Sequence, residues 1–213
     1  FDNVAFGPRV LGLARGSDLE QIVEESLRRA DLVTVQSREQ ERLLLENFGV
    51  RGSFVPNGID VPRLPEEAPA ASHDVVWVSS VKPVKRPDRL LEIARALPGR
   101  RFLVAGGPGY DQRYYEEMVA LFAGQPNLTY AGFVAPDRIE EIYRAGRLFL
   151  LTSSFEGFPN TFLQSWALGI PVCALDVDPD GVVAERGLGI VEADARLLAG
   201  KIDALLDDRE AYE

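Results

Sequence analysis

Two residue types that commonly build sites are almost missing: the chain has one cysteine, Cys173, and one histidine, His73. A lone cysteine makes an internal disulfide impossible, and a lone histidine excludes every metal site that needs two. Cys173 sits in the apolar run "IPVCAL", where a packed thiol is expected rather than a reactive one. No run of eighteen apolar residues occurs, so no segment can cross a membrane as a helix, and no signal-peptide layout opens the chain. A cytoplasmic setting is expected. Positive charge is also scarce: 23 Lys and Arg against 33 Asp and Glu leave a formal net charge of −10. That argues against bulk nucleic acid as a partner, because its phosphates demand a surplus of cations. It places no limit on a small anion held by a few local donors. An initiator methionine is absent too, since the chain runs from Phe1 to a helical-looking "DDREAYE". A segment of a longer protein is therefore expected.

What is present is an ordinary globular composition, 46% hydrophobic over 213 residues, enough for one large domain or two small ones. Apolar, β-rich runs alternate with amphipathic helical stretches. Strands are predicted at 9–14, 31–36 and 52–56, with helices at 17–30 and 38–48, the first capped by Ser17 with Glu20 completing a capping box. Residues 57–74, "NGIDVPRLPEEAPAASHD", have the composition of a linker. The alternation then resumes, with strands at 75–80, 101–106, 127–132, 147–153, 171–176 and near 189–193. Helices are predicted at 87–97, 112–123, 136–146, 160–168 and from Ala193 onward. Nearly all-apolar strands separated by helices imply a parallel sheet covered on both faces, an α/β doubly wound fold. Three segments follow: 1–56, a linker at 57–74, and 75–213.

Ligands of such sheets bind beyond the carboxyl ends of the strands. "SSFEGFPN" (153–160) places Glu156 before Gly157, Pro159 and a helix that Asn160 or Thr161 can cap. The start of that helix offers unpaired N–H groups to an anion. Glu156 can accept from hydroxyls of a group attached to the anion, and Gln164 can bridge two vicinal hydroxyls. Equally, Glu156 can serve only as an electrostatic cap and Gln164 as a half-buried amide. "SSVKPVKRPDRL" crowds Lys82, Lys85 and Arg86 before a helix beginning at Pro87, a pattern suited to a diphosphate or to a solvated basic turn. "GGPG" (106–109) lacks the dinucleotide fingerprint and reads as a tight turn. "DVDPDGV" (176–182) lacks the full calcium loop and reads as a turn, so no metal site is expected. Among the aromatics, Tyr110 and Phe133 fall in cleft-side loops and can stack on a base or sugar; Tyr114, Tyr115 and Trp166 fall where packing is the default.

Taken together, "FVPNGID", "VVWVSSVKPVKRPDRLLEIA", "RFLVAGGPG", "NLTYAGFVAPDRIEEIYRAGRLFLLTSSFEGFPNTFLQSWALGIPVCAL" and "GLGIV" resemble, in order and spacing, retaining glycosyltransferases of the GT-B fold, family 4. The match lies in the C-terminal, nucleotide-sugar-binding part and covers most of the chain. The resemblance implies that Glu156 faces the donor sugar and position 164 holds the ribose hydroxyls, the two being the ends of an E-x7-E motif. It further implies donor contacts from Gly157, Phe158, Pro159, Asn160 and Thr161, a diphosphate-binding pair at Ser80 and Lys85, and a nucleobase bordered by Phe133 and Val134 near Gly107. Neither a metal nor a cofactor is implied. Three departures stand out: Gln164 replaces an acid, Ser80 stands where the family usually has Arg, making Lys82 the substitute cation, and Arg15 stands where many members carry His.

By the same resemblance, residues 1–56 are a remnant of the acceptor-side domain and 75–213 a donor domain truncated at its C-terminus. An incomplete domain leaves apolar faces uncovered, so self-association through the N-terminal segment is expected. The implied partners are a nucleotide diphosphate sugar and a glycan, lipid-linked or small-molecule acceptor, with membrane contact belonging to the parent protein. Two rival readings are a GT-B-fold epimerase, which would need histidines in the cleft and which a lone His73 in the linker argues against, and a noncatalytic nucleotide-sugar-binding subunit, which Ser80 and Gln164 favour.

Overall fold

The computed structural model describes residues 18–62 and 70–208. They fall into two units, one running up to Gly58 and including Glu156–Pro159, the other made of the remainder.

In the first unit, α1 (Asp18–Arg29) and α2 (Arg38–Phe48) alternate with two short parallel strands, β1 (Thr34–Val35) and β2 (Ser53–Phe54). A small core of Val35, Leu44 and Phe48 holds them. The helix boundaries follow local chemistry. Ser37 Oγ accepts from the Gln40 N–H at 3.1 Å while Gln40 Oε1 accepts from the Ser37 N–H at 3.3 Å, a reciprocal capping box that the sequence analysis did not pick out. At the other end Gly49 adopts φ 65°, open to glycine, and its N–H bonds Leu45 O at 2.9 Å. The strand expected at 9–14, the Ser17 cap and Arg15 lie outside the described residues.

The second unit carries the sheet. Along the chain it consists of β3 (His73–Val78), α3 (Pro87–Ala96), β4 (Phe102–Ala105), α4 (Gln112–Ala123), β5 (Leu128–Tyr130) and α5 (Ile139–Arg144). These are followed by β6 (Gly146–Leu151), α6 (Asn160–Trp166), β7 (Val172–Leu175), α7 (Val182–Glu185), β8 (Gly189–Glu192) and α8 (Ala195–Asp207). The six strands are all parallel in the order β5-β4-β3-β6-β7-β8. The order reverses between β3 and β6, and that is where a doubly wound sheet opens a crevice. Alternate residues serve opposite faces. Val75, Trp77, Leu148, Leu150, Cys173 and Leu175 pack under α3, α4 and α8, whereas Val76, Phe149, Leu151, Val172 and Ala174 pack under α5, α6 and α7. Cys173 is fully buried, and burial pushes its thiol up to about 12, the behaviour of a packed residue.

Several bounds differ from the sequence expectation: β1 and β2 are shorter than the runs at 31–36 and 52–56, and α5 begins at Ile139 after a 3-10 turn at Pro136–Arg138; two further differences have clear local causes. β3 begins at His73, inside the stretch assigned to the linker, because the His73 N–H bonds Ala145 O at 2.8 Å and the Asp74 N–H bonds Arg101 O at 2.9 Å. The stretch read only as an Asp-Pro-Asp-Gly turn continues into α7. Asp178 caps that helix with both carboxylate oxygens, accepting from the Val183 N–H at 2.8 Å and the Ala184 N–H at 3.2 Å.

The start of β3 also sets a pH dependence. Burial, and then the Arg101 cation, hold the His73 pKa below its ordinary value of 6.5, with Asp74 opposing weakly. The unfolded chain therefore binds the extra proton first as pH falls, so folding stability declines on acidification below about pH 6.5 and levels off once the folded imidazole is also protonated. Urea unfolding between about pH 7.5 and 5.5 is expected to show this loss, and His73→Gln to flatten it. An unchanged pH profile in the variant would exclude His73 as its source.

Candidate functional site

Beyond the carboxyl ends of β3, β4 and β5 lies a cavity of about 700 Å³. The loops around it are hydrogen-bonded to one another past the end of the sheet. Val81 bridges Pro108 in parallel register, its N–H bonding Gly107 O at 2.9 Å, and the Gly106 N–H bonds Gly132 O at 2.8 Å. From below, the Tyr130 hydroxyl donates to Gly106 O at 2.5 Å and shares a hydrogen bond with Tyr115 at 3.1 Å. The rim is thus fixed backbone, the kind of surface on which a ligand is positioned without a large ordering cost.

Seven residues singled out in the sequence line this cavity: Ser80, Lys82, Lys85, Gly107, Phe133, Val134 and Thr161. Their placement has local causes. Pro83–Lys85 form a single 3-10 turn that sets Lys85 at the cavity wall, and Gly109, having no Cβ, leaves room for Lys82 beside it; an added Cβ would lie 2.8 Å from Lys82 Cβ. A Cβ on Gly107 would meet Phe133 Cδ2 at 3.1 Å, so the Phe133 ring lies close over bare backbone, and it is 72% exposed. An exposed aromatic beside a cavity is a stacking surface for a planar group. Arg86, the third cation of the cluster, does not line the cavity. It adopts φ 48° and pairs with Asp176 at 3.0 Å.

Gln164 is half-buried on α6, where its Oε1 accepts from the Tyr143 hydroxyl at 3.0 Å. Tyr143 is 1% exposed, and burial raises its hydroxyl pKa, keeping it protonated as a donor. Gln164 is not among the residues lining the cavity; with its carbonyl oxygen engaged, it carries an amide N–H₂ donor where a carboxylate at this position would have only acceptors.

Glu156, Gly157, Phe158 and Pro159 group with the first unit, and Asn160 opens α6. Within that unit Asn57 clamps the segment: its Nδ2 donates to Phe158 O at 3.0 Å while its Oδ1 accepts from Gln36 Nε2. Asn57 opens the stretch whose composition is that of a linker. The sequence signal around it is the "FVPNGID" run, one of the segments that carry the family resemblance. Of the remaining aromatics, the three expected to pack do so, whereas Tyr110, expected beside the ligand, is not among the residues lining the cavity. Tyr114 and Tyr115 pack against the core, Trp166 bonds Leu188 O at 3.0 Å, and Tyr110 is 79% exposed.

A family profile described as glycosyl transferases group 1 matches residues 72–208. The D-inositol 3-phosphate glycosyltransferase of Nocardia farcinica is 30% identical over 220 residues, an alignment covering 90% of this chain and 47% of that protein. The alpha-galactosylglucosyldiacylglycerol synthase of Streptococcus pneumoniae is 33% identical over 114 residues, covering 52% and 30% respectively. The chain spans about half the length of the first curated relatives it matches. Among solved structures, sucrose-phosphate synthase from Thermosynechococcus elongatus superposes with a TM-score of 0.79 at 21% identity, over 97% of this chain and 58% of that one. Staphylococcus aureus TarM, solved with UDP, superposes with a TM-score of 0.75 at 19% identity, over 93% and 43%. These structures share the fold.

Proposed function

The chain belongs to the group 1 glycosyl transferases, and from that premise we propose that it is the donor-binding portion of a retaining, family 4 enzyme of the GT-B fold. The whole protein moves a sugar from a nucleoside diphosphate to a hydroxyl of a glycan, a lipid-linked or a small-molecule acceptor. In this reading residues 75–213 hold the donor and 1–56 are the last part of the acceptor-side domain, with Arg15 at the sequence position where many members carry His.

One observation carries the proposal: two lysines, an exposed aromatic ring and glycine backbone line one cavity at the carboxyl ends of the strands. Lys85 and Lys82 take the diphosphate, Phe133 and Val134 border the base, and Gln164 donates to ribose oxygens. Lys82 supplies the charge that Ser80 lacks. As the glycosidic bond breaks, its electron pair passes to the diphosphate oxygen, and the ammonium groups, fixed in advance, stabilise that charge without requiring a metal. Glu156, ahead of α6, accepts from hydroxyls of the donor sugar. The neutral Gln164 favours a second reading, a noncatalytic donor-binding subunit, which turnover by the complete protein would separate from the first.

Calorimetric titration with UDP, GDP and ADP, and with their glucose conjugates, tests the proposal. One base is expected to bind saturably, with the sugar adding affinity that Glu156→Ala removes, a loss of about 1.5–3 kcal/mol for hydrogen bonds to a charged acceptor. Absence of binding by all three nucleotides at millimolar concentration would overturn it.

A further inference from the structure

A chain of buried hydrogen bonds runs from the core of the sheet to the wall of the cavity. Thr152, directly after β6 and fully buried, accepts from Trp77 Nε1–H at 2.9 Å and donates its own proton to the Lys85 carbonyl at 2.7 Å. The direction of both bonds is unambiguous, because an indole N–H only donates and a carbonyl only accepts. Trp77 is among the largest fully buried side chains, so the anchor of this relay is part of the core itself.

The relay holds the turn that bears Lys85. Ser154 adds two more bonds to the same turn, its N–H and its hydroxyl both reaching Val84 O, at 2.9 and 3.2 Å. Immediately after Lys85 the backbone enters the left-handed region at Arg86, φ 48°, an unfavourable conformation for a residue with a side chain. A turn held in an unfavourable conformation needs fixed partners, and here they come from the strand on the other side of the switch point. A valine would fill the space of Thr152 among its apolar neighbours; the hydroxyl is what connects Trp77 to Lys85.

We propose that Thr152 is a positioning residue of the diphosphate-binding wall: it sets the main chain of Lys85, and through it the height and direction of the Lys85 ammonium. This rests on the nucleotide-binding reading above. Without the Thr152 proton the Lys85 carbonyl loses its buried partner and the turn relaxes, so the ammonium no longer meets the phosphates at a fixed point. The effect falls on phosphate and spares the base.

The test uses whichever of UDP, GDP and ADP binds the unaltered chain most tightly, together with the corresponding nucleoside. Thr152→Val is expected to weaken the diphosphate about 10-fold, equivalent to about 1.4 kcal/mol, and the nucleoside less than 2-fold. Thr152→Ser, which keeps the hydroxyl, is expected to restore binding. In a Lys85→Ala background Thr152→Val is expected to change nothing further, since its effect passes through the missing ammonium. If Thr152→Val does not fold, Thr152→Ala removes the same proton while leaving room for water at the Trp77 end, and the same selective loss is expected. Unchanged diphosphate affinity in a folded variant, equal loss for nucleotide and nucleoside, or a further loss in the Lys85→Ala background would each overturn the proposal. If no diphosphate binds the unaltered chain, the nucleotide reading fails first and this inference falls with it.

Discussion

Gly106→Ala is expected to lower the free energy of unfolding by about 3 kcal/mol or more, the upper end for overpacking, and with it to close the candidate cavity. An ideal Cβ at this position would lie 1.7 Å from the Ser79 carbonyl oxygen and 2.8 Å from its carbon. Both are backbone atoms, so no rotamer change relieves the clash. The surrounding hydrogen bonds oppose a shift of either strand end: the Gly106 N–H bonds Gly132 O at 2.8 Å, its carbonyl accepts from Tyr130 at 2.5 Å, and the Ser79 N–H bonds Ala105 O at 3.1 Å. Gly200→Ala is the matching control. It lies on the exposed side of α8, where an added Cβ meets nothing within 4 Å, so the same change is expected to stabilise by about 0.5–1 kcal/mol through helix propensity. Urea midpoints at constant slope distinguish the two. A Gly106→Ala midpoint close to that of the unaltered chain would mean that the loops after β3 and β4 do not meet as described.

The reason Gly106 matters was not visible in "GGPG" alone, which compares poorly with any phosphate-binding fingerprint. Much of the fold was legible because short, nearly all-apolar runs separated by amphipathic helices admit few arrangements, and Pro87 and Gly49 mark helix ends by their backbone preferences. Shorter features escaped. A four-residue helix such as α7 shows no periodicity, and its start depends on Asp178 choosing capping over solvation. The cavity-lining residues were legible for a topological reason, since Ser80, Lys82, Gly107, Phe133 and Val134 all follow strand ends in a parallel sheet. The residues that hold them were not. Trp77 meets Thr152 across 75 positions, Asn57 meets Phe158 across 101, and Tyr143 meets Gln164 across 21. Each of these side chains has an apolar or turn-forming explanation that is sufficient in sequence, and only the fold brings the partners within reach.

Lys85→Ala is expected to have the largest effect on ligand binding. The chain carries a formal net charge of −10, so a doubly charged phosphate group approaches against the overall field and depends on local cations. Two lysines line the cavity, and Arg86, which pairs with Asp176, does not line it. Of the two, Lys85 has the main chain fixed by Thr152, whereas Lys82 precedes the turn. A charge-assisted hydrogen bond to phosphate contributes about 1.5–3 kcal/mol, so its removal should weaken nucleoside diphosphate binding about 10- to 100-fold. The nucleoside, which lacks phosphate, should be affected less than 2-fold. Because the lost interaction is between full charges near solvent, affinity in the variant should also depend less on salt. Titration of the nucleotide and its nucleoside at low and high ionic strength reads both effects at once. A parallel loss for both ligands would mean that Lys85 shapes the cavity without meeting the phosphates. In that case the cation required opposite the leaving group would have to be Lys82, and Ser80 and Lys85 would not form the diphosphate-binding pair that the family pattern implies.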